Sequence, residues 1–287
     1  MLTVLFDGVA SGALLFLLAL GLSITLGIMN FVNLAHGAFA MLGGYVAVVL
    51  LNRWGVPFLY CLPVAFVVPA LAGLILERTL YVRLYHASPL DQVLFTIGIV
   101  FASMATASYF MGSQHQIIQL PLFLQGQYHV MAGFDVGIYR LFLLGFCGLI
   151  ALFLHLVLMR TCFGSRLRAA VDNGRIARGL GINVNRLFAI TFGMGSGLAG
   201  LGGALGIEIL NLDPVFPVKF LVYFLIVVAV GGTGTVSGPL AAALILGIFD
   251  VAGKYYISQI GAFIIYAVMV IVLIWRPHGL FGRRAVD

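Results

Sequence analysis

Charge is scarce in this sequence. Only 8% of its 287 residues are Asp, Glu, Lys or Arg, against about 25% in an ordinary soluble domain. So little charge cannot cover a water-facing surface. With 62% hydrophobic residues and a mean hydropathy of +1.15, the chain is expected to be solvated by lipid. Cysteine is sparse too. Cys61, Cys147 and Cys162 share no CxxC or metal-ligand spacing, which excludes a zinc site of the usual pattern and leaves them as small residues, the first two in apolar runs. No Ser/His/Asp constellation stands out, and His36, His86, His115, His129, His155 and His278 are scattered. A basic region ahead of the first apolar run is missing, so that run is expected to stay as an anchor rather than be cleaved.

Two nucleotide motifs are also absent in substance. "GSGLAG", residues 195–200, has the spelling of a dinucleotide fingerprint but lies inside an apolar run with no strand before it. Gly253-Lys254 is followed by Tyr255 and lacks the P-loop glycine, so the chain is not itself an ATPase of the Walker A type. Catalytic and metal residues are accordingly expected to be none.

The net charge of +6 suggests nucleic acid until its placement is considered. Loops 77–92 and 160–187 and the tail from Arg276 hold every basic residue except Arg53, Arg140, Lys219 and Lys254. Charge gathered into alternate loops is the positive-inside pattern of a polytopic membrane protein. It predicts these segments and the C-terminus in the cytoplasm, the N-terminus outside, and no nucleic-acid partner. The 112–137 loop has no Lys or Arg, faces out, and is apolar enough to lie on the membrane or meet a partner.

A membrane-spanning helix needs about 20 apolar residues. Spans are read near 5–28, 34–51, 57–76, 93–111, 138–159, 188–210, 219–231, 239–257 and 259–275. Counting one broken segment as re-entrant, or the short spans as a pair, gives about eight. The fold class is therefore all-α, one transmembrane domain over residues 1–287. Within "TFGMGSGLAGLGGALG", Gly195, Ala199 and Gly203 form one small-residue row and Ser196, Gly200 and Ala204 the next, the pattern of closely packed helices. Glu208 and Asp250 lie near membrane depth but close to outer ends, where water reaches, which weakens a proton relay.

Two stretches break the apolar monotony. "LGIMNFVNLAHGAF" places Asn30, Asn33 and His36 where a span should be greasiest. Asn disfavours helix interiors, so a discontinuity is predicted, and freed backbone at that depth must meet protein or a watery cavity. Asn33 and His36 either satisfy that backbone or line a path, and both roles are compatible. "GGTGTVSGP", 231–239, is a comparable interruption later in the chain, and paired breaks mark transporter paths. Thr96 and Ser103, two turns apart, offer either a polar stripe on that path or helix–helix hydrogen bonds. The arginine-studded stretch after Arg160 contains a short amphipathic helix, roughly 166–180, stopped by Gly181, with Asn183 capping the next span. It is either a solvated elbow or a peg for a partner's groove.

"RAAVDNGRIARGLGINVNRL" resembles the EAA loop of ABC-importer permeases. Ala169, Ala170, Gly174 and Val184 stand at the matching spacings, Arg168 replaces the glutamate, and the closing proline is absent. "GLSITLGIMNFVNLAHGAFAMLGGY", "ERTLYVRLY", "LGIN", "GGTGTVSGPLAAALILGI" and "RPHGLFG" are similar, in the same order, to permeases of branched-chain amino acid ABC importers. The resemblance covers about residues 5–284. It implies an inner-membrane permease half that pairs with a homologous permease, two cytoplasmic ATPase subunits and a periplasmic binding protein. ATP and Mg would then sit on the ATPases, and this chain would hold no cofactor. Arg168, Ala169, Ala170, Gly174, Arg175, Arg178 and Gly181 would couple to the ATPase. Asn30, Asn33, His36, Thr96 and Ser103 are the candidate path residues. Branched-chain amino acids are the implied cargo, with urea, amides or aromatic and other carboxylic acids as family alternatives. An ion-coupled transporter acting without an ATPase is the reading from another class.

Overall fold

The computed structural model describes every residue except 30, 32, 86, 132–133, 233–235, 277–278 and 282–287. Helices dominate it: α1 Leu2–Met29, α2 His36–Asn52, α3 Phe58–Thr79, α4 Pro89–Met111, α5 Ile138–Arg160, α6 Cys162–Asp172, α7 Gly174–Gly179, α8 Val184–Leu210, α9 Phe216–Gly231, α10 Ser237–Tyr256 and α11 Gly261–Trp275. Six of these (α1, α3, α4, α5, α8 and α10) are long and apolar enough to cross a membrane, and α2, α9 and α11 are shorter apolar helices. The stretch 219–257, which the sequence leaves as one interrupted span or two, forms the two helices α9 and α10.

The 112–137 loop is largely non-helical. It holds a single 3-10 turn, Leu122–Leu124, and a hairpin of β1 Gln127–Met131 and β2 Phe134–Gly137. Ile117, Leu122, Phe123 and Tyr128 are exposed there.

Packing centres on α8, whose small residues face three helices at once. Gly195 lies against Gly21 of α1, and Gly202 against Leu18. Gly203 meets the backbone of Ala40 in α2, and Gly43 of α2 meets that of Gly200. Gly73 of α3 lies against Ser196, while Gly200 also touches Ala65 and Pro69. The Gly195 row thus takes α1 and α2, and the Ser196 row takes α3 and, at Gly200, α2 as well. Without a hydrophobic push between helices in lipid, such backbone approach is what holds them.

The contacts also reveal an inverted pair of three-helix units. α1 and α8 run antiparallel, since Gly21, Leu18 and Leu14 meet Gly195, Gly202 and Gly206 in turn. Each long helix, of 28 and 27 residues, is followed by a connector and a helix of 17 or 16 residues. The third members cross over: α3 lies antiparallel on α8, and α10 lies antiparallel on α1, with Gly8 and Gly12 against Ile248 and Leu244. Inverted repeats of this kind are a recurrent transporter architecture. The two units meet where the short helices begin, because a side chain at Gly37 would strike Pro217 Cα at 2.9 Å.

Candidate functional site: the broken helix and the arginine elbow

The chain does not simply turn around after α1. His36, the first residue of α2, donates from Nε2 to the carbonyl of Leu18 at 2.8 Å. Leu18 lies 11 residues before the end of α1 at Met29, about 16 Å back along the helix axis at 1.5 Å per residue. The segment between the helices therefore re-enters the bundle, and α2 starts well inside it. The His36 ring also meets Phe224 of α9 edge-on, centroids 6.1 Å apart. Burial and a carbonyl acceptor fit a neutral imidazole used as a strut.

Asn33 is equally committed. Its Oδ1 accepts from the Ala35 amide at 3.1 Å and from the Tyr81 hydroxyl at 3.3 Å. The predicted discontinuity is thus present, and both described polar residues bond to protein groups at it. Asn30 lies outside the described residues. Thr96 is buried, and its hydroxyl donates to Gln92 at 2.9 Å in its own helix. Ser103, half-buried, donates to Val100 at 2.7 Å. Neither hydroxyl bonds a neighbouring helix in those contacts. Thr96 follows Phe95, whose ring meets Tyr81 at 5.7 Å, so it borders the corner that holds Asn33.

In the sequence "ERTLYVRLY" stands out for its basic residues and its resemblance, yet the residues that brace the break come from it. Tyr81 is fully buried and its ring is 5.1 Å from Phe31, edge-on. Tyr85 meets Phe31 at 5.9 Å and donates its hydroxyl to Glu77 Oε1 at 2.5 Å. Burial first, and the Glu77 carboxylate second, push the Tyr85 phenol far above its usual value, so it stays a donor at any physiological pH. The available signal was a buried-type carboxylate, Glu77, followed at four and eight positions by tyrosines.

The later interruption is also real: α9 ends at Gly231, Gly232 takes φ +84°, and α10 starts at Ser237, with 233–235 outside the described residues. The inverted counterpart of the first break is a different segment, however, the 211–215 connector between α8 and α9. Asn211 there adopts φ +56°, Asp213 pairs with His115 at 3.4 Å, and the Leu212 carbonyl accepts from the Gln116 amide at 2.8 Å. Of the two acids suspected at depth, Asp250 pairs with Lys254 one turn on at 2.6 Å, and Glu208 is exposed.

At the opposite face the arginine elbow departs from the expected single helix over 166–180. It is two helices, α6 and α7, split at Asn173, whose backbone is extended at φ −155°. The physical reason is the Asn173 side chain, which accepts from the amides of Arg175 and Ile176 and so starts a new helix. Gly181 stops α7 at φ +83°, and Asn183 caps α8 by accepting from the Arg186 amide, both as expected. Leu167, Ala170 and Ala177 bury against Val184 and Leu187 in a small core of their own. Arg168, Arg175 and Arg178 are exposed, Ala169 is half-buried, and Gly174 opens α7. Arg168 also donates to the Leu158 carbonyl of α5, tying the elbow to its preceding span. Asn173→Ala should cost about 1 kcal/mol of local helix stability. Limited trypsinolysis should then cut faster at Arg175 and Arg178, with the spans unaffected.

Long apolar helices, a re-entrant break and inverted three-helix units define a multi-pass membrane protein of transporter architecture. The chain belongs to the branched-chain amino acid transport system permease component family, whose model matches residues 4–273. It is 30% identical to a probable branched-chain amino acid transport permease protein LivH of Methanocaldococcus jannaschii, covering 94% of this chain and 89% of the relative. It is 27% identical to the high-affinity permease protein LivH of Escherichia coli, covering 99% and 96%. It is 24% identical to the high-affinity permease protein BraD of Pseudomonas aeruginosa, with the same coverage. No solved structure matches the chain.

Proposed function

We propose that this chain is the permease subunit of an ATP-driven importer that moves branched-chain amino acids or related small solutes inward. The observation that carries the reading is a re-entrant helix start at the meeting point of two inverted units, combined with an arginine-faced elbow packed on α8. The elbow docks on a cytoplasmic ATPase subunit, which with its twin holds ATP and Mg²⁺. A homologous second permease completes the path, and a periplasmic binding protein delivers solute to the face carrying the 112–137 loop. The membrane is the bacterial inner membrane. The basic loops and the C-terminus lie in the cytoplasm, as their charge requires. The chain holds no nucleotide itself, and its few polar groups near the break suit weak, transient solute contact.

Affinity purification of the tagged permease from its native membrane should recover a Walker A ATPase and a second permease. Reconstituted vesicles should take up L-leucine only with ATP inside the compartment bearing the elbow and the loaded binding protein outside. Uptake driven by an ion gradient without an ATPase would sink the proposal. Binding of urea, amides or aromatic acids by the cognate binding protein, in place of leucine, would move the substrate assignment within the family.

A further inference from the structure

The 81–85 turn touches both regions on which the proposed function rests. On one side it meets α8 just beyond the small core shared with α6 and α7. Val184 and Leu187 belong to that core. The next residue, Phe188, meets the Tyr85 ring edge-on at 6.2 Å, and Phe192, one turn further, lies 4.9 Å from the Tyr81 ring. On the other side the same two tyrosines hold the break. Both rings pack on Phe31, and the Tyr81 hydroxyl donates to Asn33. Phe192 also reaches the first turn of α2 directly, 5.9 Å from Phe39.

The turn itself is held firmly. Tyr85 is tied to Glu77 at the end of α3, and the Gln92 amide of α4 donates to the carbonyls of Leu84 and Ala87 at 3.2 and 3.4 Å. Tyr81, Phe31 and Phe192 are at most 1% exposed, so no solvent gap separates those three rings, while Tyr85 and Phe188 are half-buried. Close-packed interiors pass displacement on rather than absorb it. A shift of the α8 start therefore displaces the Tyr81 ring through buried Phe192 and presses on Tyr85 through Phe188, and Tyr81 cannot move without disturbing Phe31 and Asn33.

We propose that Tyr81 and Tyr85 are positioning residues that relay movement of the α6–α7 elbow to the re-entrant break ahead of α2. This rests on the permease reading above and adds the route by which ATPase closure reaches the solute path. Tyr81 contributes the bond that reports on Asn33, and Tyr85 the ring that receives the push from Phe188.

Two measurements test it. The first uses the full chain alone in detergent and needs no transport. In Phe188→Ala, amide hydrogen exchange across residues 26–38 should rise at least fivefold, while Ile190→Ala, on the same helix but lining the groove beside the elbow, should leave it unchanged. The second uses the assembled complex with L-leucine as the probe. Tyr81→Phe keeps the ring and removes only the hydroxyl bond, so ATP hydrolysis should persist while leucine moved per ATP falls at least threefold. A purely structural role would lower both rates together. Unchanged exchange at 26–38 in Phe188→Ala, or an unchanged leucine-to-ATP ratio in Tyr81→Phe, overturns the relay. If the wild-type complex neither hydrolyses ATP nor moves leucine, the permease reading fails separately, and the exchange experiment still decides the relay.

Discussion

Gly43→Ala should prevent the protein from assembling, although it adds a single methyl group. The new Cβ would fall on the backbone of Gly200, at the crossing of α2 and α8. No flexible side chain stands there to yield, so the helices must part. Overpacking a tight core by a methylene costs about 1–3 kcal/mol and occasionally more. Here the separation would also loosen the Gly203–Ala40 contact one turn away. We expect the variant to be lost from the monodisperse peak in detergent chromatography, with no cooperative melting. Gly98→Ala and Gly148→Ala are the controls, since nothing lies within 4 Å of either position. In an exposed helix, alanine is favoured over glycine by roughly 0.5–1 kcal/mol, so both should melt at or slightly above the wild-type temperature. Wild-type melting of Gly43→Ala would contradict the backbone crossing.

His36→Ala should be the second severe change. It removes both the bond to Leu18 and the ring against Phe224, and large-to-small changes in a core cost on the order of 3 kcal/mol. His36→Leu separates the two losses. It restores most of the volume, and the Leu18 carbonyl keeps its own helical partner, so replacing the polar group with an apolar one should be close to neutral. We expect the alanine variant to melt early and the leucine variant to recover both folding and uptake. A fully folded His36→Leu protein that no longer transports would place the imidazole on the solute path instead.

The sequence and the structure agree most closely where a residue acts on its own neighbourhood. Gly181 and Asn183 bound α7 and α8 by local backbone chemistry, and both were legible. The break at 30–35 was legible because two asparagines and a histidine contradict their apolar surroundings. Asn173 obeys the same capping rule as Asn183, yet it sits inside an amphipathic pattern that reads as one continuous helix. The inverted units were not legible at all. In lipid, most outward positions are apolar whatever their partner, so two segments can share a geometry without sharing a pattern. Tyr81 escaped for a different reason: its acceptor, Asn33, is 48 residues away, and no local rule connects them.

The glycine-lined surface of α8 has one more effect, on motion rather than strength. Where α1, α2 and α3 touch it, backbone crossings at Gly21, Ala40, Gly43 and Ala65 alternate with side chains, Leu14, Leu18, Phe66 and Leu74, that lodge in the hollows its glycines leave. Interlocked ridges and grooves resist sliding because each knob must climb out of its hole. The glycine hollows of α8 hold such knobs, so the seam resists sliding as well as separation. Axial travel of α8 past its neighbours must lift those side chains out of their hollows and also move Phe188 and Phe192, near the start of the helix, against Tyr85 and Tyr81. The same glycines that let the backbones approach thus also fix the axial register of α8 against its neighbours.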